Sequence, residues 1–588
     1  MSARELITEH LDLWTGAVTK KPSSGRGSNG KTELTGVKKL RELILELAVR
    51  GKLLEQNPTD EPASKLLERV RAEKLHLIKQ GKIKKRRKLP ELTEMTKPFN
   101  LPSSWEWSQL EDVGRDWGQK TPKDDFSYID VASVDSLRGE ITQPSILSAE
   151  EAPSRARKIV SEGTLIYSTV RPYLQNIAVI ESKIEPEPIA STAFAILHPL
   201  AGMPARFYLH YLRSPAFVRY VESVQTGIAY PAINDKQFFS GLVPVPPLEE
   251  QHRIVQKVDE LMDLCDRLEQ QTSDQLEAHE TLVDTLLGTL TQSENATELA
   301  DSWARLAAHF DTLFTTEQSI GKLKQTILQL AVMGRLVEQN VGDEPTESLL
   351  TNIDQEIASL VKQGLIKKPK PTPEISDSDK FFGIPDSWQW VRLGSLALHS
   401  EAGWSPKCHD VPRENQGWAV LKVSAVTWGE FRPSENKELP SNLTPRREYE
   451  VHPSDFLISR ANTSELVARS VVVPKGAPAK LMMSDKIIRF VFSDQIEPLY
   501  INLFNNSPFA RSYYLSVAGG TSSSMKNVSR AQIQALAVPL PPLGEQHRIV
   551  QKVDELMVLC DQLKERLNQA GETRCQLAEA VVEGALKE

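Results

Sequence analysis

The chain is written twice. Residues 250–268 read EQHRIVQKVDELMDLCDRL and residues 545–563 read EQHRIVQKVDELMVLCDQL, so seventeen of nineteen positions match at an offset of 295. Each copy follows a proline-rich lead, VPVPPLE in the first and VPLPPLG in the second. A second pair lies upstream: VKKLRELILELAVRGKLLEQNPTDEPASKLL (37–67) resembles IGKLKQTILQLAVMGRLVEQNVGDEPTESLL (320–350) at offset 283. The same offset carries LPSSWEW (101–107) onto IPDSWQW (384–390). Repetition on this scale demands two similar folding units. The growth from 283 to 295 makes the second intervening stretch twelve residues longer. The order is therefore frame, variable module, frame, frame, variable module, frame, a pseudo-twofold plan.

The frame segments read as helices. Ile254, Val258, Leu261, Cys265 and Leu268 recur three and four apart, as do Ile549, Val553, Leu556, Cys560 and Leu563, which places each set on one stripe. Prolines 246–247 and 541–542 cannot continue a helix inward and mark its start. Mid-seam Thr272, Gln275 and His279 interrupt the first stripe. The upstream pair shows the same spacing near Leu40, Leu43 and Leu47, with a start expected near Val37 because Gly36 would break the first turn. Asp60-Glu61-Pro62 and Asp343-Glu344-Pro345 suggest a cap followed by a first-turn proline. Two long, similar helices in one chain most simply pack antiparallel as a coiled coil.

The 588 residues carry a formal net charge of −8, and charge is spread evenly: residues 99–246 hold 13 Lys+Arg against 17 Asp+Glu, and residues 383–540 hold 17 against 14. Any nucleic-acid binding must rest on a few placed side chains rather than a basic tail. No apolar run approaches the ~18 residues of a membrane span, and the N-terminus has no apolar signal core, so the cytoplasm is expected. The four cysteines, Cys265, Cys408, Cys560 and Cys575, form no CxxC pair, which argues against a zinc or disulfide framework.

Residues 25–32, GRGSNGKT, spell the phosphate-binding pattern G-x-x-x-x-G-K-[ST]. A working loop needs a buried strand before it and a helix opening at the lysine. Here AVTKKPSS precedes it and ELTG follows, so a flexible linker spells the pattern.

The modules differ in sequence but share an order. TLIYSTV (164–170), NIAVI (176–180) and TAFAILH (192–198) read as strands, followed by a helical ARFYLHYLRSPAFVRYVESV around Pro215. DFLISRA, ARSVVVP and KIIRFVFS then PLYINLFNNSPFARSYYLSV repeat that order in the second module. Each opens on a Trp-x-Trp element, Trp105/Trp107 and Trp388/Trp390, expected to pack. The parse is an N-terminal extension and linker (1–36), a proximal helical region (37–98), a first module (99–246), a central helical region (247–382), a second module (383–541) and a C-terminal helix (542–588). The fold class is α+β.

With the paired PPLxEQHRIVQKVDELM segments, STVRPYL (168–174), SRANTSELV (459–467) and an N-terminal HLDLW…GVKKLRELILELAVRGKL run, nearly the whole chain resembles the specificity subunit of type I restriction–modification enzymes, in its longer form. That resemblance implies a non-catalytic protein. Its two target-recognition domains would be held by antiparallel conserved helices, and each would read one half of a split, asymmetric double-stranded DNA site. It also implies two modification subunits bringing S-adenosylmethionine and two restriction subunits bringing ATP and magnesium, with no cofactor bound by this chain and no membrane association. The specificity subunit of a methylation-only complex and a coiled-coil scaffold with protein-binding modules are the competing readings.

Candidate contacts fall on turns after strands, the usual carriers of recognition. In the first module these are Ser168, Thr169, Arg171 and Tyr173, with Gly227, Tyr230 and Lys236 on TGIAYPAINDK (226–236). In the second they are Ser459, Arg460, Asn462 and Thr463, with Gly520, Thr521, Ser523 and Lys526 on GGTSSSMKN (519–527), and Lys407 and Lys422 beside them. Arg171 can fork onto guanine or phosphate, Asn462 has the amide geometry that pairs with adenine, and the hydroxyls suit phosphate oxygens. Turn chemistry and solvated charge are the plain alternatives for each. The run KIKKRRK (82–88) reads as a basic linker, and His252 and His547 as helix-start hydrogen-bonders. The chain has no N-P-P-[FYW] or D-P-P-Y tetrapeptide, so base methylation has no evident site in it.

Overall fold

The computed structural model describes residues 7–20, 32–83, 97–227, 229–293, 296–414, 416–427, 429–520 and 525–587. Gly25, Gly30, Lys31, Thr521, Ser523 and most of the basic run (84–88) lie outside the described residues. The chain divides into two compact units, Met1–Leu276 with Gln569–Glu588, and Glu277–Asn568. Each is a mixture of helices and small sheets. Among the described residues no helix is long and apolar enough to cross a membrane.

The duplicated stripes form two uninterrupted 45-residue helices, Leu248–Gln292 and Leu543–Lys587, each starting directly after its Pro-Pro pair. The core of the first unit takes Ile254, Val258, Leu261 and Cys265 together with Ala578. That of the second takes Ile549, Val553 and Cys560 together with Val283, Leu287 and Leu290. Thr272 returns its hydroxyl to the carbonyl of Leu268 (2.7 Å), and His279 Nε2 lies 3.1 Å from the Thr312 carbonyl, while His279 Nδ1 is buried without a partner among the described residues.

Two expectations need correction. The first upstream helix runs Thr35–Val49, with Gly36 inside its first turn. A Cβ at Gly36 would sit 2.2 Å from the carbonyl oxygen of Trp14, so glycine is there to admit a neighbouring backbone, and this close approach outweighs its poor helix propensity. Pro62 and Pro345 are themselves the N-cap residues of Ala63–Lys79 and Thr346–Lys362, not first-turn residues. Asp60 and Asp343 are drawn away from capping because they pair with Arg253 and Arg548 of the long helices.

That pairing belongs to a polar knot that explains the repeated motifs. In the first unit buried Glu250 accepts the indole N–H of Trp105 (2.9 Å) and the amide of Gln56 (2.6 Å), while Gln251 donates to the carbonyl of Pro246 (3.0 Å). In the second, Glu545 accepts from Trp388 (3.0 Å) and Gln339 (2.5 Å), and Gln546 donates to Pro541 (3.0 Å). The second tryptophan of each motif enters a two-stranded ladder, Trp107 opposite Pro244 and Trp390 opposite Pro539. These short ladders tolerate proline because an edge position asks no donor of it.

Each module carries a comparable strand trio. In the first unit Leu165–Ser168 lies between Phe194–Pro199 and Ile177–Val179, antiparallel to both. In the second, Phe456–Ser459 lies between Ile487–Phe492 and Ser470–Val472 in the same sense. Registers match: Ser168 pairs with Phe194 and Ser459 with Ile487. The helical stretch breaks at a serine in both, giving Ala205–Arg213 with Pro215–Val224 and Pro498–Asn506 with Pro508–Val517. Arg213 and Asn506 perform one task, donating to the carbonyls of Ile177 and Ser470 on the equivalent strand (3.3 and 3.0 Å).

Candidate nucleic-acid interface

The middle strand of each trio ends in a serine whose side chain is buried, and the chain then leaves the sheet. In the first unit Ser168 is 2 % exposed and its hydroxyl donates to the carbonyl of Val170 (2.9 Å). Thr169 gives both its amide and its hydroxyl to the carbonyl of Ala193, each at 2.9 Å. These hydroxyls shape the turn and face inward. Beyond them Arg171 adopts a left-handed conformation (φ +49°), Pro172 opens a short 3-10 turn, and Tyr173 stands 58 % exposed.

The loop candidates, distant in sequence, come to this same turn. Val170 bridges Ala232, and the Arg171 amide donates to the carbonyl of Pro231 (2.8 Å). Thr226 and Ala232 close the loop with reciprocal bonds of 2.9 Å. Gly227 (φ +92°) makes the reversal, where a Cβ would meet the Tyr230 carbonyl at 2.6 Å. Tyr230 projects from it, 69 % exposed, with the Arg171 guanidinium 5.1 Å from its ring centre. Asn234 then caps the helix Asp235–Ser240, whose first turn bears exposed Lys236.

The second unit repeats the backbone with other side chains. Arg460 N donates to Lys486 (2.9 Å) and Val528 N to Arg460 (2.9 Å), the counterparts of Thr169 N to Ala193 and Ile233 N to Thr169. Ala461 pairs with Asn527 and Asn462 with Lys526. By this ladder Ser459, Arg460, Ala461 and Asn462 occupy the stations of Ser168, Thr169, Val170 and Arg171. Ser459 is buried and bonded to the Leu466 carbonyl (3.1 Å), so it also shapes the turn. Asn462 accepts from the Thr463 amide (2.8 Å), the carbonyl of Thr463 receives the amide of Val467 (2.9 Å), and Lys526 Nζ donates to the carbonyl of Gly520 (2.8 Å). Gly520 (φ +117°) reverses the loop as Gly227 does. Arg460 and Asn462 are half-buried at the opening of this hairpin.

Lys407 is exposed, on the segment whose Ser405 bonds Asp485, one residue before the Lys486 that meets Arg460. Lys422 belongs elsewhere: it precedes a short turn in a three-stranded sheet and pairs with Glu435 at 3.8 Å. His547 lies 3.5 Å from a Glu497 carboxylate oxygen at the start of its helix.

Sequence reasoning missed two supports. Lys158, 3 % exposed on a strand of the first unit, bridges Asp116 (3.1 Å) and Asp235 (3.0 Å) and so pins the helix that follows the loop. Behind the second turn Arg511 reaches the carbonyls of Ser464 and Glu465 at 3.5 and 3.4 Å; burial, then the charge of Arg469, push it down to about 10. Nothing in their spacing marks these residues, because each meets partners from separate strands and helices.

The surface so built is a two-segment hairpin that presents cations, amides and an aromatic ring on a fixed backbone, with the hydroxyls spent internally. Such groups can bind and discriminate a ligand. The chain matches the type I restriction modification DNA specificity domain over residues 102–278 and again over 385–571. It is 42 % identical to the type I restriction enzyme EcoEI specificity subunit of Escherichia coli over the full length of both chains. To the EcoAI specificity subunit of the same organism it is 38 % identical, again end to end. The solved structure of an HsdS subunit from Thermoanaerobacter tengcongensis is 23 % identical, aligns with 83 % of this chain and 98 % of its own, and superposes with a TM-score of 0.43.

Proposed function

This chain belongs to the family of type I restriction–modification DNA-specificity subunits, and from that premise we propose that its two hairpin surfaces each read one half of a bipartite, asymmetric DNA site. The chain is a DNA-sequence-specificity subunit, a class that is itself non-catalytic, and it works in a complex with other restriction–modification subunits. The scaffold reading falls away with that membership. One observation carries the proposal: the same ladder of turn and loop recurs in both units, with Val170, Arg171 and Pro231 of the first replaced by Ala461, Asn462 and Lys526 in the second. Shared backbone with divergent side chains is what two different half-sites require.

The exposed or half-buried members, Arg171, Tyr173, Tyr230, Lys236, Arg460, Asn462, Lys407 and Lys526, meet DNA, while Ser168, Thr169, Ser459 and Thr463 set the turns. Gly227 and Gly520 let the loops reverse. Thr521 and Ser523, outside the described residues, are further proposed DNA contacts. The long helices form an antiparallel coiled coil that fixes the separation of the half-sites. Support comes from the core of each unit, where the first part of one long helix packs with the last part of the other. Two modification subunits supply S-adenosylmethionine and two restriction subunits supply ATP and magnesium, in the cytoplasm, docking on the helical frame.

Long-read methylation mapping of cells with and without the gene, with the modification subunit expressed, tests this. A bipartite adenine motif disappears with the gene; an unchanged methylome would overturn the reading. Inserting helical turns equally into 248–292 and 543–587 lengthens the spacer and leaves both half-sites intact.

A further inference from the structure

We propose that Arg171 is the guanine-reading residue of the first hairpin and that Tyr230 is its positioning residue, an assignment that rests on the DNA-specificity reading above. Three other arginines of this module are engaged elsewhere. Arg206 bonds Glu181 and Asp259, Arg219 bonds Glu46, and Arg213 is spent on backbone carbonyls. Arg171 is exposed and, among the described residues, has no carboxylate partner; its guanidinium lies against the Tyr230 ring.

That contact has no core to serve. Tyr230 is 69 % exposed, so burial does not hold it; the guanidinium 5.1 Å from its ring centre lies within cation–π range. Both residues are fixed from below, since the Arg171 amide donates to Pro231, the residue after Tyr230. The left-handed backbone at Arg171 costs energy at a non-glycine residue and is retained at the projecting end of the turn. The result is a planar fork held on one face by an aromatic ring, with its N–H edge left for a ligand. Guanine O6 and N7 in the major groove form the bidentate acceptor that this edge fits. The equivalent station in the second unit is Asn462, with Lys526 opposite in place of Pro231, so the two half-sites differ at this station.

The test uses the full chain with its modification partner, reading the methylated motif and competition binding on duplexes varied one base pair at a time. Arg171→Ala relaxes one G·C position of one half-site by about tenfold to a hundredfold and leaves the other half-site unchanged. Arg171→Lys fails to restore it, because an ammonium lacks the planar fork. Tyr230→Ala relaxes the same position and Tyr230→Phe retains discrimination. Two results overturn the assignment: an unaltered motif in Arg171→Ala, or weakening that is uniform across sequences with a salt slope reduced by about one, which marks a phosphate contact. Either leaves the DNA-specificity reading standing, since the wild-type chain still yields its bipartite motif; loss of that reading shows instead as no motif in the wild type.

Discussion

The polar knot and the hairpin end are both duplicated, yet they have diverged to opposite degrees. At the knot the two units agree bond for bond: Trp to Glu, Gln to the same Glu, Gln to proline carbonyl, Arg to Asp. At the hairpin only backbone bonds survive, and chain length has grown as well. Ser168 to its neighbouring-strand residue Ile177 spans nine steps, whereas Ser459 to the equivalent Ser470 spans eleven. A buried acceptor shared by two donors has one geometry, so its residues cannot drift singly. A solvated turn held by main-chain bonds accepts almost any side chain.

Substitutions at the knot should therefore cost stability equally in both units. Trp388→Ala removes a large ring and one of the two donors to Glu545, at a cost of about 3–5 kcal/mol by chemical denaturation; Trp105→Ala should match it within about 1 kcal/mol, and a larger disparity would break the equivalence. Glu545→Ala and Glu250→Ala leave a buried indole N–H unpaired, for about 1–3 kcal/mol each. Burial is the leading cause that raises both carboxyls, and the indole and amide donors oppose it.

A pH experiment sharpens the contrast, because a half-buried strand histidine occurs in the first unit and has a valine as its counterpart in the second. Burial, aided by the charge of Arg115, pushes His198 down to about 4, and Thr164 Oγ1 lies 3.1 Å from its Nδ1. The unfolded chain takes a proton near the ordinary histidine value of about 6.5 that the folded chain refuses until about 4. Its contribution is complete above about pH 6.5 and is lost as pH falls toward 4. The equivalent strand position of the second unit is Val491. Hydrogen exchange resolved by unit should show the first opening preferentially over this window, and His198→Val should reduce the difference, the part left belonging to buried His210 in the same unit.

The smallest expected effect is at the rim. Lys236→Ala, an exposed side chain, should reduce the salt slope of DNA binding by about one contact or less and leave the methylated motif unchanged. A changed motif would move Lys236 from phosphate to base contact.

How much of this was legible beforehand depended on locality. The long helices, the strands and the paired modules announced themselves through period and repetition, and the recognition role through the family resemblance. Gly36 misled because its reason is a distant carbonyl at Trp14. The hydroxyls of Ser168, Thr169 and Ser459 looked available to phosphate, but a turn consumes its own donors, and only coordinates show where each one points.

Repetition of the chain by itself determined that two like units exist, that helices frame them and that their modules differ, because hydrophobic spacing and duplicated motifs are carried by neighbours in sequence. Which Trp meets which Glu, that Arg171 and Asn462 stand at one station, and that a loop some sixty residues away completes each turn were decided by tertiary structure. Those pairings join segments whose separation along the chain leaves no periodic trace.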